Sequence, residues 1–217
     1  MLKTIFAAAG ILLASLGVAQ ASTLEQIKNA TYELYADGQP ICSGTFVKPN
    51  EFLTASHCIL DNVNKYQIYF VQDNAPKYFD LTVNDVNKDY DTATLKLTDP
   101  EAAFPFVDVA TSYVPKAGDD LVLSSYPEVL GYNYLTFGKL TGEVKTPAGL
   151  RGNYSYIADI ETAEGSSGGG LYANIAGTWR LIGTTEGGPP AHDYMSFFST
   201  VTGVNLVLDV WVNMKKN

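Results

Sequence analysis

Along most of the chain, apolar residues recur at every second position in short runs, and turn-forming residues separate the runs. In "ATYELYADGQPICSGTFVKPNEFLTAS", Tyr32, Leu34 and Ala36 alternate with polar neighbours. The pieces "ADGQP" and "KPNE" supply turns, so the segment reads as a pair of hairpins. "KYQIYFV" and "YFDLTVNDV" alternate in the same way and are rich in Tyr, Phe, Ile and Val; "DTATLKL" adds a short strand. "TDPEAAFPFVDVATSYVPKAGDD", rich in proline and small residues, reads as a crossover. Beyond it the same texture resumes in "DLVLSSYP", "YLTFGKLTGEV", "YSYIADI", "GLYA", "TWRLIGTT" and "MSFFST". Helical spacing is confined to "STLEQIKNA" and to the end of the chain, from about Val204 to Lys215. There Leu206, Val210 and Met214 recur every fourth residue, with Leu208, Trp211 and Val212 adding apolar surface. Strands and helices do not alternate, so the sheets are expected to be antiparallel. Two small barrels with a C-terminal helix pack such strands without exposed edges.

The first residues form a different pattern. Lys3 precedes an apolar and small-residue run from Ile5 to Val18, and Ala19-Gln20-Ala21 fits a signal-peptidase site. Residues 1–21 are therefore expected to be a secretory signal peptide, with export to the periplasm or the medium. No later run has the length or apolarity of a membrane span.

Hydrophobic residues make up 46% of the 217, enough for a sizeable core and inconsistent with disorder along the whole chain. Without the expected signal segment the chain carries 13 basic and 23 acidic side chains. No Lys/Arg cluster is available to neutralise phosphates, so nucleic acid is not an expected partner. The negative field favours the approach of cationic partners.

The two cysteines, Cys42 and Cys58, read as one disulfide in an exported chain. A metal site made of both cysteines and His57 is the alternative. His57 and Cys58 are adjacent and would point to opposite faces of an extended strand, which disfavours it. No cofactor or metal is expected. His57 and His192 are the two histidines, and His57 follows an apolar strand beside a disulfide cysteine. Asp91 opens the "DTATLKL" strand, with Asp89 as a near competitor. Abutting the apolar alternation, Asp91 can bury a carboxylate against an imidazole. "ETAEGSSGGGLY" concentrates four glycines around Ser166 and Ser167. A serine hydroxyl becomes a nucleophile when a positioned base takes its proton. Backbone N–H groups of a tight glycine turn, here those of Gly165 and Ser167, can stabilise an oxyanion.

"TASHC", "DTATL" and "GSSGG", in that order, resemble the His, Asp and Ser motifs of the trypsin/chymotrypsin-like serine proteases. "CSGTFV" resembles that family's strand before the histidine. The resemblance spans nearly the whole region after residue 21. It implies two packed six-stranded antiparallel β-barrels, about 22–110 and 111–203, and a C-terminal helix, about 204–215. It also implies a Cys42–Cys58 bridge, a catalytic triad of His57, Asp91 and Ser167, and an oxyanion hole from the N–H groups of Gly165 and Ser167. The implied activity is hydrolysis of peptide bonds through an acyl-enzyme. Protein or peptide substrates, and protein inhibitors, are the implied partners.

Two departures stand out. Ser166 replaces the family's Asp, which pairs with a newly cut amino terminus during activation, and Gly170 replaces a proline. The segment "STLEQ" also lacks the family's apolar amino-terminal opening, so activation by that pairing is not expected. By the same match Glu161 falls at the floor of the primary pocket, which implies preference for Lys or Arg. Thr185, Glu186 and Gly187 form the other wall, where Glu186 adds a second negative charge. "GSSGG" also satisfies the G-x-S-x-G elbow of α/β-hydrolases, but the helices and the later Asp-then-His order of that fold are missing. A protease-like binding module without activity is the alternative of a different class. Asn29 and Asn153 begin glycosylation sequons that matter only along a eukaryotic secretory route.

Overall fold

The computed structural model describes residues 22–72, 75–110, 112–128, 130–145, 153–188 and 195–208. The expected signal peptide, His192 and the last turns of the expected C-terminal helix lie outside these residues. Among the described residues, no helix is long and apolar enough to cross a membrane.

The chain begins with α1 (Leu24–Ala30), started by a reciprocal capping box between Thr23 and Gln26. Six strands follow: β1 (Thr31–Ala36), β2 (Gln39–Lys48), β3 (Glu51–Thr54), β4 (Tyr66–Gln72), β5 (Ala75–Asn87) and β6 (Thr92–Leu97). They close into an antiparallel barrel in the order β1-β2-β3-β6-β5-β4. After the crossover, β7 (Asp120–Ser125), β8 (Tyr134–Lys145), β9 (Tyr154–Ala158), β10 (Gly170–Ile175), β11 (Thr178–Gly187) and β12 (Ser196–Ser199) close a second barrel in the order β10-β11-β12-β9-β8-β7. The turn in "ADGQP" has φ of 48° at Asp37 and 83° at Gly38. Two consecutive left-handed residues give the backbone twist that a tight hairpin needs. Ala176 and Gly177 make the equivalent turn between β10 and β11.

Each barrel has its own core. The first is built on Leu34, Phe46, Phe52, Ile68 and Leu95, with Phe104 of the crossover stacked 4.7 Å from Phe46. The second is built on Leu121, Leu123, Tyr156, Leu171 and Phe198. A third cluster joins them: Val47 and Leu53 from the first barrel meet Val122, Tyr172 and Leu181 from the second, with Ile27 of α1 and Val204 of α2. Each such side chain contributes roughly 1.5–3 kcal/mol on burial, so the seam between the barrels is a firm joint.

The C-terminal helix, α2 (Val201–Val207), begins three residues before the expected start, with Thr200 at its N-cap. Val201, Val204 and Val207 form its buried stripe, whereas Leu206, one of the residues that set the expected phase, is 39% exposed. The seam selects the valine stripe, and its phase is offset from the fourfold spacing in the sequence. β6 also differs from simple alternation. Ala93 and Leu95 are buried as expected, but Thr92 and Thr94 are fully buried too. α2 lies beside β6, and the Thr92 hydroxyl donates to the carbonyl of Gly203 (3.2 Å).

Candidate active site

His57 sits in a single 3-10 turn, Ser56–Cys58, directly after β3. The Cys42–Cys58 disulfide ties that turn to β2. Asp91 lies at the start of β6 with φ of 48° and is completely buried. Asp and Asn tolerate this left-handed conformation better than most residues. Here it turns the carboxylate onto the His57 turn. Asp91 Oδ2 lies 2.7 Å from His57 Nδ1, and Oδ1 accepts from the His57 N–H (3.0 Å) and the Ser56 hydroxyl (2.8 Å). Burial alone would push the Asp91 carboxyl up. The bond and charge of His57 and the donations from Ser56 and the His57 N–H outweigh it and hold the group below its ordinary value. The competitor Asp89 is exposed.

The glycine-rich stretch is closely packed and hydrogen-bonded. Gly168 has φ of +77°, and a Cβ there would overlap Thr54 Oγ1 and the Ser43 carbonyl and lie 2.9 Å from the Ala55 nitrogen. Only glycine lets the backbone carrying Ser167 approach β2 and β3 this closely. The Ser43 N–H donates to the Ser167 carbonyl (2.7 Å), and the Gly168 N–H donates to the Thr185 carbonyl (2.9 Å). Ser167 is thus clamped between the strand bridged to Cys58 and β11. Among the described residues, no hydrogen bond joins the Ser167 hydroxyl to His57. Such bonds are often long before substrate binds.

The same contacts orient two peptide groups. The Glu164 carbonyl accepts from the Glu128 N–H (2.8 Å), and the Ser166 carbonyl accepts from the Gly169 N–H (2.9 Å). Both peptides are trans, so the N–H groups of Gly165 and Ser167 point away from those anchored carbonyls. Neither N–H finds an acceptor among the described residues.

Two further side chains carry no motif signature of their own. One is Ser56, where the resembled family has alanine; it supplies the third bond to Asp91. The other is Ser43. Its hydroxyl donates to the Gly165 carbonyl (2.7 Å) and accepts from the Tyr126 N–H (2.7 Å), bracing the turn from the first barrel. Ser166 is buried, and its hydroxyl accepts from the Ser125 hydroxyl and the Ala163 N–H, both at 3.3 Å. Neutral hydroxyls thus hold the position where the resembled family has a carboxylate. Ser22 is tied down elsewhere, bridged to Trp179 and accepting from the Asp108 N–H (3.1 Å).

The expected pocket residues do not all line one cavity. Glu161 is exposed and lines a cavity of about 390 Å³ with Pro127, Leu130, Tyr132, Tyr134 and Ser166. Thr185, Glu186 and Gly187 do not line that cavity. Thr185 is buried, and both its N–H (2.9 Å) and its hydroxyl (3.2 Å) donate to the Gly169 carbonyl. Gly187 has φ of +135° at the bulge between β11 and β12. Gly188, Thr162 and Ser196 lie close together, with the Thr162 and Ser196 hydroxyls 2.8 Å apart.

Glu186 is only 7% exposed, and its Oε2 accepts from the Ser155 hydroxyl (2.7 Å). Burial pushes its pKa up to about 8 against the lowering effect of that bond, and the Asp91 charge pushes in the same direction as burial. The carboxyl therefore keeps its proton at neutral pH and does not add the expected second charge. The folded state holds this proton more tightly than the unfolded chain. The stability it confers is full below pH 4.5 and declines as pH rises to about 8, by an amount on the order of 5 kcal/mol. Urea unfolding should show this decline between pH 5 and pH 9, and Glu186→Gln should abolish it. Parallel pH profiles for the two proteins would remove Glu186 from the balance.

Cys42, His57 and Cys58 are the one cluster of metal-binding dimensions among the described residues, and the bond between the two sulfurs leaves it no thiolate. Residues 42–183, more than half of the chain, match the model of the trypsin-like peptidase domain. No curated protein matches. Among solved structures, the chain is similar to the active form of the Rv3671c protease of Mycobacterium tuberculosis. The identity is 17% and the TM-score 0.70, covering 96% of this chain and 93% of that one. It is also similar to the MamO protease domain of Magnetospirillum magneticum, with 18% identity and a TM-score of 0.66, covering 83% and 96%. These likenesses are in fold. With the family match and the closed pair of six-stranded barrels, they place the chain in the trypsin-like peptidase domain family.

Proposed function

We propose that the protein is an exported serine endopeptidase acting through an acyl-enzyme. The observation that carries this reading is the clamp of Ser43, Thr54 and Gly168, which sets the Ser167 turn against the strand leading into His57. Asp91, ionised and buried, fixes the proton of His57 on Nδ1 and leaves Nε2 free to accept the Ser167 proton. The hydroxyl oxygen then adds to the peptide carbonyl. The oxyanion that forms meets the N–H groups of Gly165 and Ser167, which are already oriented and unbonded. Collapse expels the amine, which takes the proton from His57, and water repeats the sequence to release the acid. A fluorophosphonate probe should label the protein, and the labelled peptide should carry the adduct on Ser167. The unbonded Ser167 hydroxyl is the feature that favours a protease-like binding module instead. Failure of the probe to react would support that reading.

Preference for Lys or Arg rests on Glu161. An exposed carboxylate is well hydrated and attracts a substrate cation only weakly. Glu161→Gln is expected to change the ratio of kcat/KM for Lys over Ala peptides by less than about tenfold. A loss of two orders of magnitude would put Glu161 at the pocket floor when substrate is bound.

A further inference from the structure

We propose that a cavity between the first barrel, α1 and the crossover is an effector site for a carboxylate carried on an aromatic or aliphatic body, coupled to the Ser167 turn through Tyr126. The cavity holds about 610 Å³, and its walls include Tyr32, Phe70, Phe79, Phe104 and Tyr126. Small-molecule sites have this size, and this lining sets aromatic faces beside polar groups that can fix a ligand's orientation. The rings already pack edge to face or stacked, with Phe79 5.0 Å and Tyr32 5.3 Å from Phe104. An aromatic or alkyl group entering among them finds surfaces set for it.

The polar groups select the other end of the ligand. Lys28, in the last turn of α1, lines the cavity and has no carboxylate partner among the described residues. The Tyr32 and Tyr126 hydroxyls make no hydrogen bond among the described residues. Burial pushes the Tyr32 phenol up to about 12 and the Tyr126 phenol in the same direction, so both are donors at neutral pH. Two O–H donors and one ammonium suit an anion with two acceptor oxygens. The Glu33 charge pushes the Tyr126 phenol up in the same direction as burial and repels an anion, so the carboxylate belongs on the Lys28 side.

The coupling runs over two hydrogen bonds. The Tyr126 N–H donates to Ser43 Oγ, which donates to the Gly165 carbonyl. The Tyr126 carbonyl lies 2.6 Å from where a Cβ on Gly165 would sit, and the Glu128 N–H holds the Glu164 carbonyl. A ligand that moves Tyr126 therefore shifts Gly165 through its carbonyl, and with it the adjoining peptide that bears the Gly165 N–H. Only the effect on turnover rests on the proposed peptidase function; binding and coupling do not.

The test is calorimetric titration of the Ser167→Ala protein with 3-phenylpropionate, with 3-phenylpropionamide as the neutral control. Saturable binding of the acid is expected, about tenfold or more tighter than the amide, and weakened by a similar factor in Lys28→Ala and Tyr126→Phe. A peptide ending in a free phenylalanine carboxylate, titrated beside it, tells a chain terminus from a free organic acid as the source. The Gly165 amide resonance should shift on saturation, whether or not the protein turns substrate over. Absence of saturable binding, or equal binding of acid and amide, overturns the site. Binding that leaves the Gly165 resonance unmoved overturns the coupling.

Discussion

Ser167→Ala is expected to lower kcat/KM on a peptide substrate by roughly four to six orders of magnitude while leaving the fold intact. The hydroxyl makes no structural bond among the described residues: the Ser167 turn is held through its backbone, by Ser43 and Thr185. Removing it should therefore not change the urea midpoint. Ser166→Ala makes the contrast. That hydroxyl is buried and bonded to Ser125 and Ala163. Its loss is expected to cost about 1 kcal/mol of stability and far less activity. Kinetics and unfolding on the two variants separate the roles. If Ser166→Ala proved the silent enzyme and Ser167→Ala the active one, the nucleophile would be assigned to the wrong serine.

Gly168→Ala should be the most damaging glycine substitution in structural terms. A left-handed φ costs an alanine roughly 1–2 kcal/mol. The new methyl group must also displace Thr54, the Ser43 carbonyl or the Ala55 nitrogen, and overpacking of this kind costs roughly 1–3 kcal/mol more. Two of those neighbours are backbone atoms. One belongs to the strand bridged to Cys58, the other to the segment leading into His57, so relief comes only by separating serine from histidine. A displacement of about 1 Å lowers rate about a hundredfold. Gly177 provides the control, with φ of +84° and open space where its Cβ would be. Gly177→Ala should show the conformational cost alone and keep full kcat/KM. Equal unfolding midpoints and rates for the two variants would mean that the close approach at Gly168 does not restrain the site.

The barrels were legible because alternation, turn chemistry and the single crossover all point the same way, and the strand segments quoted from the sequence reappear in β1 to β12. The disulfide was legible from residue type and the expected export. What alternation cannot report is a second buried face. Thr92 looks solvent-facing until α2 covers it, Thr94 is buried while accepting from the Asn84 amide, and α2 itself takes its phase from valines at the seam between the barrels. The site was legible as far as its motifs reach. Ser43 and Ser56 are ordinary polar residues in a sequence, and their bonds to Gly165 and Asp91 arise from segments far apart in the chain. Glu186 shows the reverse limit. The resemblance put it on the pocket wall as a second negative charge, whereas burial beside Ser155 raises its pKa to about 8.

The division of the site between two barrels has a consequence for the timing of activity during biosynthesis. His57 and Asp91 belong to the first half to be made, Ser167 and its bracing strands to the second, and α2, which lies over the Asp91 strand, is made after all twelve strands. A copy still emerging from the ribosome holds the proposed acid and base with no serine turn for them to act on. The proposed nucleophile, Ser167, is set against the histidine segment only when Gly168 seats against Thr54 across the finished seam. Cleavage by the proposed machinery is thereby withheld from every incomplete copy by chain order alone, before any inhibitor or compartment has to restrain it.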